Sequence, residues 1–242
     1  CIVQVYCDMT TSGGGWTLVA SVHENDINGK CTTADMWFSN DLARYSIFSR
    51  NWENRNIFGN VKEATSADYK NIGYSVIKAS NVMLRHVPNK TPVDKSKSLA
   101  SLQYHTSNNF LNKYGGNLFA TYTKHYPMNP KTTEPCASNH LVVPVTYTIG
   151  ESTLSNFVPP FMKLATTTGF LQIRAESHTG TYYAMCPAVK LNNCDGQYVC
   201  IGGVKNGYSQ TNDCNDLTVP DWNGLTYNPD YHASKNFAHS SK

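Results

Sequence analysis

Tyr6-Cys7-Asp8-Met9-Thr10-Thr11-Ser12-Gly13-Gly14-Gly15-Trp16-Thr17-Leu18-Val19 is the stretch from which the rest of the chain is best read. Three successive glycines let the backbone take positive φ and pass close to another segment. Ile2 to Tyr6 and Trp16 to Val22, on either side, have the residue types of short strands. The stretch therefore predicts strand, tight glycine turn, strand.

Outward from it the same logic continues. Ala100 to Tyr104, Leu141 to Thr148 and Gly169 to Arg174 are rich in β-branched or aromatic residues and predict further strands. Asn109 to Tyr114 and Ser66 to Asn71 predict short helices, and His23 to Asp68 is polar and mostly loop. Beyond Cys186 the sequence carries almost no regular signal. A loop run of that length needs a function, crosslinks or ions to hold it. It contains Cys194, Cys200 and Cys214 together with Asp195, Asp213, Asp216, Asp221 and Asp230. Most of these acids are ordinary turn initiators. No linker or internal repeat divides the chain, so residues 1–242 are expected to form one domain.

Composition narrows the class. Charged residues are 15% of the chain and hydrophobic residues 40%, which excludes a disordered chain, and long apolar runs are too few for a membrane protein. The net charge of +3 is dispersed, so neither nucleic acid nor a membrane span is an expected partner. Eight cysteines (Cys1, Cys7, Cys31, Cys136, Cys186, Cys194, Cys200, Cys214) form no CxxC pair, which argues against a zinc ribbon or redox motif. An even set in a loop-rich chain fits disulfides and an oxidising compartment. Asn89-Lys90-Thr91 is an N-glycosylation acceptor. A secreted, extracellular glycoprotein is expected, in a processed or trimmed form.

The sharpest local motif runs from Glu24 to Asp35. Oxygen-bearing residues occupy its first, third, fifth, ninth and twelfth places, with Gly29 at the sixth. That is the ligand rhythm of an EF-hand calcium loop, in which a turn at glycine folds alternate side chains around one ion. The flanks are not those of an EF-hand: a strand precedes the loop and Cys31 lies inside it. The competing reading is a polar surface loop with chance acids.

Enzymatic motifs are lacking. The sequence has no GxSxG elbow, HExxH helix, phosphate-binding glycine loop or GxGxxG fingerprint. The eight histidines are scattered, with no pair at metal-binding spacing. Glu151 and Glu176 could serve as a glycosidase pair only if folding set them about 5–9 Å apart, and nothing in the sequence does so. The chain is not expected to be an enzyme.

The opening stretch resembles the start of fibrinogen-like domains. Ala20 to Asn25 followed by Gly29-Lys30-Cys31 is similar to intelectins (X-type lectins) in particular. So are Ala64 to Asn71, His86 to Lys90, Cys200-Ile201-Gly202-Gly203, and Asp221-Trp222 with Tyr231. The matches run from about Cys7 to Tyr231. The resemblance implies an α+β, loop-rich domain with short strands, stabilised by disulfides and structural Ca²⁺. It also implies a calcium-binding lectin of innate immunity, and since single sugar sites are weak and gain strength by multivalency, a homo-oligomer is expected. The implied disulfides are Cys31–Cys214, Cys136–Cys194 and Cys186–Cys200, which leaves Cys1 and Cys7 to pair with each other or with another chain. The implied structural Ca²⁺ ligands are His23 and Gly29 through backbone carbonyls, Glu24, Asp26, Asp35, Asp68, Asp195 and Asp216.

The resemblance breaks at the glycan site. Intelectins coordinate a sugar diol to an exposed calcium between two aromatic walls. The walls correspond to Trp222 and Tyr231, but the calcium ligands are replaced: the family's asparagine position is His178, and its Glu-His dipeptide is Gln197-Tyr198. Its further glutamate falls near Tyr208 and Ser209. Losing two carboxylates removes most of the charge that would hold a hard divalent cation. Three readings stay open. In one, sugars stack on Trp222 and Tyr231 with help from Tyr198 and Tyr208; in another, the pocket accepts a cationic group; in the third, the chain is a structural or partner-binding module. The first is preferred. The family closes with an apolar strand where this chain reads Asn236-Phe237-Ala238-His239-Ser240-Ser241-Lys242, so a cut terminus or a different element over that edge of the core is expected.

Overall fold

The structure, a computed structural model, describes residues 4–22, 54–88, 90–100, 102–125 and 141–150, and the strand backbones 166–173, 180–182, 185–191, 199–200, 205–207 and 233–240. The glycine stretch joins β1 (Cys7–Asp8) to β2 (Trp16–Val22) through a 3-10 turn at Thr11–Gly13. There follow β3 (Tyr69–Lys70), α1 (Gly73–Val76), β4 (Asn81–Pro88), α2 (Ser96–Leu99) and β5 (Leu102–Thr106). Next come α3 (Phe110–Lys113), α4 (Leu118–Lys124), β6 (Leu141–Ile149) and β7 (Thr166–Ile173). The last described elements are β8 (Gly180–Tyr182), β9 (Met185–Leu191), β10 (Val199–Cys200), β11 (Lys205–Gly207) and β12 (Ala233–Ser240).

One antiparallel sheet has the order β1-β2-β12-β4-β5-β6-β7-β9-β10, with β3 attached to β2; β8 and β11 pair separately. The expectation that a cut terminus or a different element accounts for this edge of the core is corrected here. The polar segment at the end of the chain is itself β12, paired with β2 on one side and β4 on the other. A strand held by ladders on both sides meets its backbone hydrogen-bonding needs whatever its side chains are, which is why its polarity misleads.

The two faces of the sheet differ. On one, Val82, Leu84, Leu102 and Tyr104 pack against Tyr74 of α1, Phe110 and Leu111 of α3, and Leu118 and Tyr122 of α4. On the other lie the pair Trp16 and Met83, and the cluster of Leu18, Val61, Ala64 and Tyr69. A bulge sorts β2 between them: Phe237 pairs with Ala20 but Ala238 with Leu18, so Val19 is the extra residue. Val19 and Ala20 therefore both join the larger core, while Leu18 serves the other face.

β2 spans the residues expected from the sequence, and β5, β6, β7 and α3 lie within a few residues of their expected places. Two expectations fail. Residues 4–6 are not strand; pairing begins at Cys7, opposite Thr17. The helix expected at Ser66 to Asn71 is a turn leading into β3, because β2 offers Ala20 and Ser21 as ladder partners for Lys70 and Tyr69. The chain beyond Cys186 is also less irregular than expected, since β9 to β12 lie in it.

Candidate functional site

The glycine stretch is anchored by charge. The Asp8 carboxylate accepts hydrogen bonds from the Thr10 backbone N–H (2.9 Å), the Thr11 backbone N–H (3.0 Å) and both threonine hydroxyls. The Arg85 guanidinium of β4 forms a buried salt bridge with Asp8 and also donates to Gln103 Oε1 and to Thr11 Oγ1. Gln103 in turn donates to Thr148 of β6. Trp16 closes the turn by donating its indole N–H to the Thr11 carbonyl at 2.8 Å. Burial alone would raise the Asp8 pKa, but hydrogen bonds from Thr11, Thr10 and Arg85 outweigh it and hold the carboxyl well below the usual carboxylate range. Both charged side chains are only 4% exposed. A cavity of about 10 Å³ between Tyr6, Asp8, Trp16, Leu18, Met83 and Arg85 has room for roughly one water, not a sugar. This network is structural: it fastens β1 and its turn across the sheet.

Gly14 shows how tight the turn is. Its φ is +77°, and a Cβ placed there would lie 2.1 Å from the Met9 carbonyl oxygen. The glycine run thus answers a real close approach, as its sequence predicts.

Of the expected Ca²⁺ ligands, Asp68 lies among the described residues. It is buried, 5% exposed, immediately before β3. Ala20 pairs with Lys70 and Ser21 with Tyr69, so Asp68 enters this ladder at the end where β2 leaves it through Val22. Val22 is the residue from which the chain runs on into His23, Glu24, Asp26, Gly29 and Asp35. The same end of the sheet receives Pro88, paired with Ala233, just after Tyr231 in sequence. The segment before Asp68 is tied down, with Ser21 Oγ donating to the Ala64 carbonyl and Thr65 Oγ1 to the Thr91 carbonyl. A buried carboxylate at that place suits a hard cation's need for an oxygen donor. No group of three or more potential metal-binding side chains occurs among the described residues.

The remaining candidates lie outside the described residues: His23, Glu24, Asp26, Gly29, Asp35, Asp195 and Asp216 for calcium; Trp222, Tyr231, Tyr198, His178 and Gln197 for glycan; Asn89 for glycosylation; and Cys1, Cys31, Cys136, Cys194 and Cys214. Cys186 and Cys200 fall on the adjacent strands β9 and β10, where Cys200 pairs with Ala188, two positions along from Cys186. Cys7 is exposed at the edge of the sheet, on β1, and forms no disulfide among the described residues.

Two polar arrangements lie beyond what the sequence reading found. Lys70 of β3 is buried with its Nζ 2.8 Å from the Asn54 carbonyl oxygen and 3.2 Å from Asn54 Oδ1. Its ammonium sits 4.8 Å from the Tyr74 ring centroid and 5.9 Å from that of Phe58. Burial pushes its pKa down to about 8. Ser12, in the glycine turn, lies 3.2 Å from His105 Nε2 of β5. Neither has a sequence motif, since the fold brings the partners together from 16 and 93 residues apart.

No protein-family model matches the chain.

Proposed function

We propose that the chain is a secreted, intelectin-like lectin: a calcium-stabilised, disulfide-bonded domain that binds glycans through Trp222 and Tyr231. The observation that supports the reading is the β2–β3 ladder, at whose one end Asp68 leads into β3 and Val22 leads out toward the oxygen-rich segment from His23 to Asp35. Two parts of the implied ligand set, far apart in sequence, thereby start from one end of the sheet. The β4–β12 ladder brings the residues following Tyr231 to that end as well. The anchored turn of Tyr6 to Trp16 adds support, because the residues that carry the resemblance are those the fold uses: Asp8, Thr11 and Trp16. Calcium here would be structural, supplied with oxygens by Asp68 and the residues after Val22. The exposed Cys7 on an edge strand suits a bond to another chain and hence an oligomer, which linked weak sugar sites require for avidity.

The test is a glycan-array profile of the native protein with Ca²⁺ and again with EDTA, well below the melting temperature. Sugar binding that survives EDTA supports the aromatic pocket. Binding abolished by EDTA would mean an exposed calcium persists and that Gln197 and Tyr198 do not mark its loss. No binding in either condition favours a second reading, an extracellular structural or partner-binding module, for which the exchange of two carboxylates at Gln197 and Tyr208 or Ser209 already speaks. A parallel melt in EDTA checks the structural ion. An ion present at 100 times its Kd stabilises the folded state by about 2.7 kcal/mol, so an unchanged melt removes calcium from the proposal.

A further inference from the structure

At the opposite end of β2, the glycine turn and β5 make a pair with different chemistry. Ser12 Oγ is 3.2 Å from His105 Nε2, and His105 Nδ1 is 2.9 Å from the Thr106 carbonyl oxygen. A carbonyl oxygen only accepts, so Nδ1 carries the proton. The neutral imidazole is thereby left with Nε2 as an acceptor, facing the Ser12 hydroxyl. This is the polarity a general base needs toward a serine nucleophile, with a third group orienting the base. The ring is further positioned by Trp16, at 5.6 Å between centroids.

Ser12 is held where it can react. Its backbone is left-handed, φ 47° and ψ 42°, a conformation uncommon for serine. The turn around it is pinned by Gly14 N–H donating to the Thr11 carbonyl, by Trp16 donating to the same oxygen, and by Asp8 beneath Thr10 and Thr11. Ser12 and Gly13 are exposed, and a Cβ on Gly13 would meet nothing within 4 Å. The space beside Gly13, next to Ser12 in the chain, is open.

We infer that Ser12 and His105 form a nucleophile–base pair that accepts the acyl group of small, activated esters, a reactivity independent of the sugar-binding proposal. Ser12 Oγ attacks the ester carbonyl as its proton passes to His105 Nε2. The ester C–O bond then breaks, and the leaving oxygen takes that proton from His105. Water deprotonated by His105 next attacks acyl-Ser12, releasing the carboxylic acid and returning the proton to Ser12. The open setting supplies no deep acyl pocket, so small acyl groups such as acetyl are the expected class and turnover is expected to be slow after a first fast cycle.

Two probes test this on the intact chain. A fluorophosphonate should form one adduct per chain, mapped by peptide mass spectrometry to Ser12, and p-nitrophenyl acetate should give a burst of p-nitrophenol. Ser12→Gly, which keeps the left-handed backbone at ease, should abolish both while leaving the melting temperature near wild type. His105→Gln should slow labelling of Ser12 at least ~100-fold, the usual lower range for loss of a general base. Absence of the Ser12 adduct, labelling of Ser12 at wild-type rate in His105→Gln, or a burst that persists in Ser12→Gly would each overturn the assignment.

Discussion

Among the described residues, each face of the central sheet buries a basic side chain, Arg85 on one and Lys70 on the other, and the two are treated differently. On the face covered by the glycine turn, Arg85 meets the Asp8 carboxylate, and Thr10, Thr11 and Gln103 take up the remaining hydrogen bonds. On the face covered by α1, α3 and α4, Lys70 rests against Tyr74 and Phe58 and donates to Asn54. The two also differ in what their surroundings do to charge. Asp8 is driven further toward its ionised form, whereas Lys70 is driven toward its neutral form, to a pKa of about 8. A guanidinium with a hydrogen-bonded carboxylate makes a fixed, directional clamp. A lysine among rings and a carbonyl fills space at a cost in desolvation.

The comparison predicts its largest effect at the clamp. Arg85→Met leaves a buried carboxylate without its cation, and breaking a buried pair from one side costs about 3–5 kcal/mol. Urea or thermal unfolding of Arg85→Met, Asp8→Leu and the double variant checks this. The double variant should be less destabilised than the sum of the singles, because it leaves no orphan charge. Additive costs would mean that the pair is not a unit. Asp8 also gives the clamp an acid limit. Its folded pKa is depressed, so its contribution is complete above the ordinary aspartate value of about 3.9 and is lost as pH falls below it. Asp8→Leu should flatten that part of the stability–pH curve.

The turn that the clamp fastens gives the next effect. Gly14→Ala forces a Cβ against the Met9 carbonyl at a φ of +77°. Strain of this kind costs about 1–3 kcal/mol, measurable in the same unfolding experiment. Gly13→Ala is the control. It shares the positive φ but has open space, so it should lose less than Gly14→Ala. Equal losses would show that conformation, not the close approach, sets the need for glycine in this turn.

What could be read in the sequence follows the same division. Trp16–Val22 shows as a strand because apolar and β-branched residues follow a glycine run. Asn81–Pro88 does not show. It is buried on both faces, so Val82 to Val87 carry no alternation, and Arg85 and His86 read as surface residues. β12 is hidden by its Ser, Lys and Asn residues, although the ladder needs only their backbones. The helix at Leu118–Lys124 had one usable sign, Asn117, whose side chain accepts from the Ala120 N–H as an N-cap. Among candidate site residues, Asp68 leads into a two-residue ladder at Tyr69 and Lys70 that its own segment, expected as helix, conceals. Arg85 and His105 are far from Asp8 and Ser12 in the chain, and no local spacing rule connects them.

The remaining effect lies on the other face and has the same sign as the acid limit, since stability again rises with pH. The folded Lys70 releases its proton near pH 8, whereas an unfolded lysine keeps its own to about 10.4. Between those values the unfolded chain binds more protons, so stability rises with pH. The rise should be about 2 kcal/mol by pH 10, given ~1.4 kcal/mol per pKa unit. Above about pH 10 it should reverse, because burial raises the pKa values of Tyr69 and Tyr104 and the unfolded chain then loses its phenolic protons first. Unfolding free energies at pH 7, 8, 9 and 10 for wild type and Lys70→Met distinguish the cases. A rise that disappears in Lys70→Met assigns it to this side chain and completes the contrast with Asp8. A flat wild-type profile would show that the carbonyl of Asn54 and the two rings compensate the ammonium fully, making the two faces alike in how they bury charge.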